Sequence, residues 1–425
     1  MKTIEQIAAE LQAYDPQSLS ASTALVFLEQ MVQPVAQIER VPLLQALGRV
    51  VAQDVIAPLD VPAHDNSAMD GFALAGGQIS GHHDLELELV GTAFAGGTGS
   101  GSVRPGQCVK IMTGAVMPTG LDTVVPLELA KLREGRVAIA AGAVKPGENR
   151  RLRGEDLQKG QAALAAGTRI GPAALGLLAS LGLPTVAVLR RLRVAFFSTG
   201  DEVLALGDAQ REGAVYDSNR YSLFGLLSKL GVELLDLGIV RDDPQALEAA
   251  FSEACAWADA VITSGGVSVG EADHTKAIMQ KLAGGQGGVA FWKIAMRPGR
   301  PMAVGRAGNA VLFGLPGNPV AVMVTFLAFV RPSLLRMMGC RPENLPMLQA
   351  RAAGAIVKKP GRTEYQRGVV ATASDGTLWV SSTGQQGSGV LSSMVQANGL
   401  MVLPHAQGNV ALGDPVSVVM FDGVI

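Results

Sequence analysis

Two kinds of hydrophobic patterning divide this chain. Between Leu192 and about Gly339, short unbroken apolar runs alternate with helical segments, the pattern of βαβ units around a parallel sheet. It predicts strands at Leu192–Phe197, Val232–Val240, Ala260–Thr263 and Ala310–Phe313, with a further one near Val289–Ile294. Helix starts are marked by caps: Asp217 and Ser218 open a helix reaching Leu230 before Gly231, Asp243 with Pro244 opens one through Trp257, and Asn318 with Pro319 opens a long apolar one. On both sides the pattern shortens. From about Ala63 to Leu152, and again from Leu348 to Ile425, brief β-rich runs are broken by Gly, Pro, Asp and Asn turns. Gly171–Gly182 reads as a short helix with a glycine stop, forming a small linking domain with Val41–Asp60. The expectation is an α/β plus β multidomain chain: a doubly wound α/β domain, β-rich N-terminal modules and a small C-terminal β-barrel-like domain. Residues 1–60 hold an N-terminal helical segment and part of the linking domain, 61–152 a β-rich domain, 153–190 the rest of the linking domain, 191–345 the α/β domain and 346–425 the C-terminal β domain.

Composition agrees with several cores. A chain of 425 residues exceeds what one core usually organises, about 250–300 residues, and 48% hydrophobic against 17% charged leaves little room for long disorder. The 52 glycines and 22 prolines suit many tight turns. A net charge of −2 provides no general field for nucleic acid, so any anion site must be local. Cys108, Cys255 and Cys340 are too scattered for a disulfide framework or zinc knuckle, and read as small buried hydrophobes in a reducing compartment. The N-terminus carries Glu5, Glu10 and Asp15 and lacks a secretion-signal core, while the apolar run Val320–Val330 falls short of the ~20 residues a membrane span needs. A soluble cytoplasmic protein with neither nucleic-acid nor membrane partner is expected.

One stretch combines conflicting chemistries. In "VITSGGVSVGEADHTK", Val261–Lys276, a strand runs into glycines and hydroxyls suited to an anion, then into Glu271 and Asp273, which would repel one. A divalent cation bridging carboxylates and phosphate resolves the conflict. "STGDE", Ser198–Glu202, and Asp242 also follow predicted strands, so several acids should meet on one sheet edge, where open α/β sheets bind ligands. Taken singly, the acids at Asp201, Glu202, Asp217 and Asp243 are better explained as helix caps or favourable helix-start charges. Lys293, Arg297 and Arg300 in "WKIAMRPGRP" supply positive charge, and "GLPGNPVA" leads into another helix start. Outside the sheet, "DNSAMDGFA" and "TGQQGSGVLSS" are polar loops, the first with Met69 and Phe72 as apolar anchors. No Ser-His-Asp, HExxH or Walker pattern appears, and the five histidines form no ligand-spaced pair. The residues alone point to a phosphate-containing small ligand with a divalent cation, without specifying a reaction.

The motifs "DNSAMDGFA", "IMTGAVMP", "RGEDL", "STGDEV", "YDSNRYSL", "TSGGVSVGEADHTK", "KIAMRPGRP", "GLPGNPVAV" and "TGQQGSGVLSSM", in this order and over nearly the whole chain, closely resemble the molybdopterin molybdenumtransferase family, MoeA. That family is similar to the E domain of gephyrin. The resemblance implies a four-domain homodimer whose α/β domain binds molybdopterin and whose active cleft lies between subunits. It implies that adenylylated molybdopterin and molybdate, with Mg²⁺, give molybdenum cofactor and AMP, and it makes a molybdopterin adenylyltransferase and other cofactor-pathway proteins candidate partners. Carried onto this sequence, the catalytic positions are Asp70, Thr113, Glu202, Asp242, Asp273 and Lys293, with Glu202, Asp242 and Asp273 holding the metal. The substrate-binding positions are Asp156, Ser264, Gly265, Gly266, Ser268, Arg297, Pro316, Pro319, Arg367 and Ser388. Arg297 and Arg300 stand where lysine is common, and Phe72 where tyrosine is frequent. A molybdopterin adenylyltransferase would not need the added N- and C-terminal modules, and a non-catalytic gephyrin-like scaffold would not need to keep the acids and Lys293. Tungstate is nearly the same size and charge as molybdate and stays open as the oxyanion.

Overall fold

The computed structural model describes residues 2–12, 14–97, 102–266, 274–284, 288–342 and 345–424. In its central domain the strands are apolar at successive positions because successive side chains enter different cores. Val194 and Phe196 of β1 (Arg193–Thr199) face one core, and Ala195 and Phe197 face the other. Helices α1 (Ser218–Leu230) and α4 (Pro319–Met337) cover the first face, whereas α2 (Pro244–Trp257) and α3 (His274–Leu282) cover the second. Asp217 caps α1 by accepting from the Arg220 N–H, and Gly231 ends it with φ at +77°. Asp243 caps α2 in the same way through Ala246 N–H.

The remaining strands are β2 (Glu233–Val240), β3 (Ala260–Ser264), β4 (Val289–Lys293), β5 (Pro301–Ala307) and β6 (Ala310–Leu315), in the spatial order β2-β1-β3-β6-β5-β4. Pairs β1–β2, β1–β3 and β3–β6 are parallel, and β5 is antiparallel to both β6 and β4. The strand ends of β1, β2, β3, β4 and β6 therefore share one edge, and the order reverses on either side of β1. The doubly wound domain expected from the pattern is present. β5 is the strand that the apolar pattern does not predict: the basic stretch after Lys293 straightens at Pro301, where the first residue of a strand needs no ladder donor.

α4 is a single helix long and apolar enough to cross a bilayer, longer than the run Val320–Val330 suggested, yet 67% of its apolar window is buried in the protein. It keeps going because a π turn at Phe326–Val330 accommodates Pro332, whose ring and missing N–H disrupt the bonding of the preceding turn. Helices Ile4–Glu10 and Ala21–Met31 pack onto this same α/β core, with Phe27 edge-on to Trp292 at 5.0 Å.

The linking region pairs Ile38–Pro42 with Thr185–Leu189 and Val55–Ile56 with Ala162–Leu164, beside helix Pro172–Ser180. Beyond it lies a six-stranded sheet built from segments between Gly71 and Ile139. At the C-terminus Thr363–Thr372, Leu378–Ser382, Met347–Ala352, Pro415–Met420 and Gly399–Leu403 close into a barrel, because the last pairs again with the first. Met296–Arg297 extends this barrel's ladder, which ties the end of β4 to the C-terminal domain.

Candidate functional site

At the carboxyl ends of β1 and β3 three buried side chains meet. Ser198 Oγ donates to Asp217 Oδ1 at 2.9 Å and lies 3.1 Å from Ser264 Oγ. The turn after β3 passes so close to β1 that only glycine fits: a Cβ on Gly265 would lie 2.3 Å from the Thr199 carbonyl oxygen, and one on Gly266 would lie 2.1 Å from Thr275 Oγ1. Their φ values, +94° and +65°, require glycine independently. The Gly265 N–H donates to the Leu315 carbonyl at 3.1 Å, so this amide, at a position expected to bind substrate, is already paired within the protein. Ser268, Glu271 and Asp273 lie outside the described residues.

Around this point several buried polar atoms have no hydrogen-bond partner among the described residues: Thr199 Oγ1, Asp217 Oδ2, Asn219 Oδ1, Asp242 Oδ1 and Thr275 Oγ1. Each such atom left dry costs about 1–3 kcal/mol, and they concentrate at the sheet's switch point. Asp242 follows β2. Burial raises its carboxyl above the ordinary value, His274 opposes the rise, and Asp201 and Glu202 add to it, which places all four groups within electrostatic reach. Glu202 is not at a helix start. It sits in a turn leading to the short strand Val203–Leu204, with its carboxylate over Gly200, where a Cβ would come within 2.5 Å of Oε2. Among the described residues no set of three His, Cys, Asp or Glu side chains is close enough to hold a metal.

The positive side forms along the same edge. Lys293 ends β4, and its backbone is held by Pro16 and Leu19. Arg297 pairs in register with Glu364 on the barrel, beyond the turn that follows β4. Pro316 and Pro319 shape the turn between β6 and α4, Asn219 Nδ2 donates to Gly317 O at 2.7 Å, and Val320 N–H donates to Ser388 O at 3.0 Å. The structure therefore brings Pro319 and Ser388 together from two domains. Arg367 is fully buried. Its guanidinium donates to Ser393 Oγ at 2.9 Å, Gly387 O at 2.9 Å and Gln385 O at 3.3 Å. Burial, with repulsion from Arg297, pushes its pKa down to about 10. It shapes the Ser388 loop from inside and does not present a charge to a ligand, which corrects its expected role in direct contact.

Asp70 and Thr113 belong to each other: Asp70 Oδ1 accepts from Thr113 N–H at 2.7 Å and from its hydroxyl at 2.8 Å, holding the carboxyl below the ordinary range. Asp156 sits on an exposed turn whose N–H donates to Val61 O at 3.0 Å. Among the described residues no hydrogen bond or ion pair joins residues 66–149 to the α/β domain. Phe72 packs in the core of the β-rich module with Leu87 and Val125, so it contributes packing and not loop chemistry. Ser198, Asp217, Asn219 and Thr275 were absent from the positions carried over. Asp217 and Asn219 stood in "YDSNRYSL", where capping already explained them, and only their unpartnered oxygens distinguish them from ordinary caps.

Comparison with known proteins bears on the whole chain. Residues 19–182 match the MoeA N-terminal region (domain I and II), 195–336 a probable molybdopterin binding domain, and 349–421 the MoeA C-terminal region (domain IV). The chain is 41% identical over 399 residues to a molybdopterin molybdenumtransferase of Haemophilus influenzae, covering 94% of this chain and 97% of that one. It is 37% identical over 387 residues to a protein of the same description from Nostoc sp., covering 89% and 88%. Among solved structures, the molybdopterin biosynthesis MoeA protein of Pyrococcus horikoshii OT3 superposes with a TM-score of 0.78 at 26% identity, covering 95% of this chain and 100% of that one. With sequence, domain order and fold in agreement from end to end, the chain belongs to the MoeA family of molybdopterin molybdenumtransferases.

Proposed function

We propose that the protein inserts molybdenum into adenylylated molybdopterin, taking molybdate as the second substrate and releasing AMP with the finished molybdenum cofactor. The observation that carries this reading is the group of unpartnered oxygens at the β1–β3 switch point, flanked by Asp242 and Glu202 on one side and by Lys293 and Arg297 along the same edge. The polar pocket orients a hydrogen-bonding heterocycle and its phosphate. Lys293 and Arg297 stabilise charge on the anhydride oxygens and attract the tetrahedral dianion molybdate. An oxygen of molybdate, or of a water beside it, bonds to the AMP phosphorus. The anhydride bond breaks and its electron pair leaves on the molybdopterin phosphate; where a molybdate oxygen has attacked, its bond to molybdenum breaks as the two dithiolene sulfurs bond the metal, and AMP departs carrying that oxygen.

Glu202, Asp242 and Asp273 are the residues that would hold Mg²⁺, and the donor set fits a hard cation because Asp242 Oδ1 has no other partner among the described residues. When bound, the cation neutralises phosphate charge. No hydrogen bond or ion pair among the described residues ties the module carrying Asp70 and Thr113 to this edge, which suits a homodimer in which each β-rich module completes the partner's cleft.

The test is incubation of the purified protein with adenylylated molybdopterin, Mg²⁺ and micromolar molybdate, following AMP release and activation of a molybdenum-dependent apoenzyme. Turnover that is lost in Asp242→Ala and Lys293→Ala supports the assignment. Binding of the intermediate without turnover, under any metal or oxyanion, would make the protein a carrier or scaffold. Oxygen-18 from labelled molybdate should appear in AMP if molybdate attacks directly.

A further inference from the structure

A second cavity lies away from the switch-point edge, between α4 and the outer face of the C-terminal barrel, with a volume of about 680 Å³. Its walls are mainly apolar, with Leu327, Leu335, Tyr365, Leu400 and Phe421 prominent. This size and lining are typical of sites for small organic ligands. Arg331 lies in the wall, 9% exposed, immediately after the π turn of α4. Its Nε has no hydrogen-bond partner, and its side chain forms no ion pair among the described residues. Among the described residues Glu29 is the carboxylate in the cavity lining, against Arg169, Arg331, Arg336 and Arg341.

Arg169 cannot neutralise Arg331. Its guanidinium donates to the carbonyls of Lys229 at 3.3 Å and Leu230 at 3.1 Å at the end of α1, and its charge repels that of Arg331. An arginine this buried and unpaired is costly, because desolvation of a charge is repaid only by a counter-charge and satisfied donors. The missing partner is an anion, and the apolar walls next to it require that the anion carry an apolar body.

We propose that this cavity binds a small amphipathic carboxylate, its head group on Arg331 and its hydrocarbon portion against the barrel face lined by Tyr365, Leu400 and Phe421. The site is independent of the switch-point edge, and its test reads binding, not turnover.

The probe is decanoate, titrated into the full-length protein by calorimetry, beside decanol for the apolar body alone and acetate for the head alone. Decanoate should bind at least tenfold more tightly than either, and Arg331→Met should remove that preference while Arg331→Lys retains part of it. Because Arg331→Met deletes an uncompensated charge, its melting temperature without ligand should equal or exceed that of wild type, and the rise that decanoate produces in wild type should vanish. Equal binding of decanol and decanoate to wild type, or no decanoate binding at millimolar concentration, would overturn the proposal without recourse to any variant. A change of solution mass in Arg331→Met, measured by light scattering, would mark the cavity as a subunit contact and would also overturn it.

Discussion

Replacing Gly265 by alanine tests whether the close approach of β1 and β3 builds the site. The new Cβ would lie 2.3 Å from the Thr199 carbonyl oxygen, a backbone atom that no rotamer change can move. Ordinary carbon-to-oxygen contacts begin near ~3.3 Å, so the strand ends must part by about 1 Å. At φ +94° the alanine also adopts a backbone conformation disfavoured for L-residues. That conformation costs roughly 1–2 kcal/mol and the overpacking roughly 1–3, giving a destabilisation of about 2–5 kcal/mol. For a domain of this size the melting temperature should fall by roughly 4–20 °C in differential scanning calorimetry. Displacement of Ser264 from Ser198 should weaken binding of the adenylylated pterin even at temperatures where the variant is folded. Gly317→Ala is the control, since its Cβ would meet only Gly265 Cα at 4.0 Å, and it should stay within about 0.5 kcal/mol of wild type. A Gly265→Ala protein melting within 2 °C of wild type, by about the same logic of scale, would refute the argument that this turn is closed by steric necessity.

Arg367→Met should destabilise the C-terminal barrel by about 2–4 kcal/mol, because the Gln385 and Gly387 carbonyls and Ser393 Oγ lose their buried donor; urea denaturation checks this. Thr113→Val removes the hydroxyl donor to Asp70 but keeps the N–H donor, so the Asp70 carboxyl should move up toward the ordinary value in an NMR pH titration. Since the native carboxyl is held low, its contribution to stability is present above the ordinary carboxylate value, about 4, and is lost as pH falls through the lowered one. Mixing Asp70→Asn with Lys293→Ala subunits should recover about a quarter of wild-type turnover if the two residues act across a dimer, because half the dimers are mixed and each carries one intact cleft. No recovery after verified subunit exchange would put both residues in the same chain's cleft.

Much of the central domain was legible because local physics and tertiary packing agree there. Asp217, Asp243 and Gly231 bound their helices where capping chemistry placed them, and uninterrupted apolar runs became strands buried on both faces. β5 was hidden by Arg297, Pro298, Gly299, Arg300 and Pro301, whose turn chemistry masked the start of an edge-adjacent strand. Arg367 enters as a binding position only through the family resemblance, whereas its carbonyl partners come from a loop about twenty residues away and become visible only once the barrel closes.

By itself the sequence determined the succession of elements and the family motifs, since caps, periodicity and glycine turns act over a few neighbouring residues. Tertiary structure alone decided which residues share a surface. It brought Ser198, Asp217 and Ser264 together through parallel strand pairing, and it tied Asp70 to Thr113 across 43 residues of sequence. It also enclosed Arg331 without an ion-pair partner among the described residues, a condition set by the burial of α4 against other domains and not by its own helical pattern. Long-range proximity and desolvation belong to the folded chain, so no local reading of residue types could have supplied them.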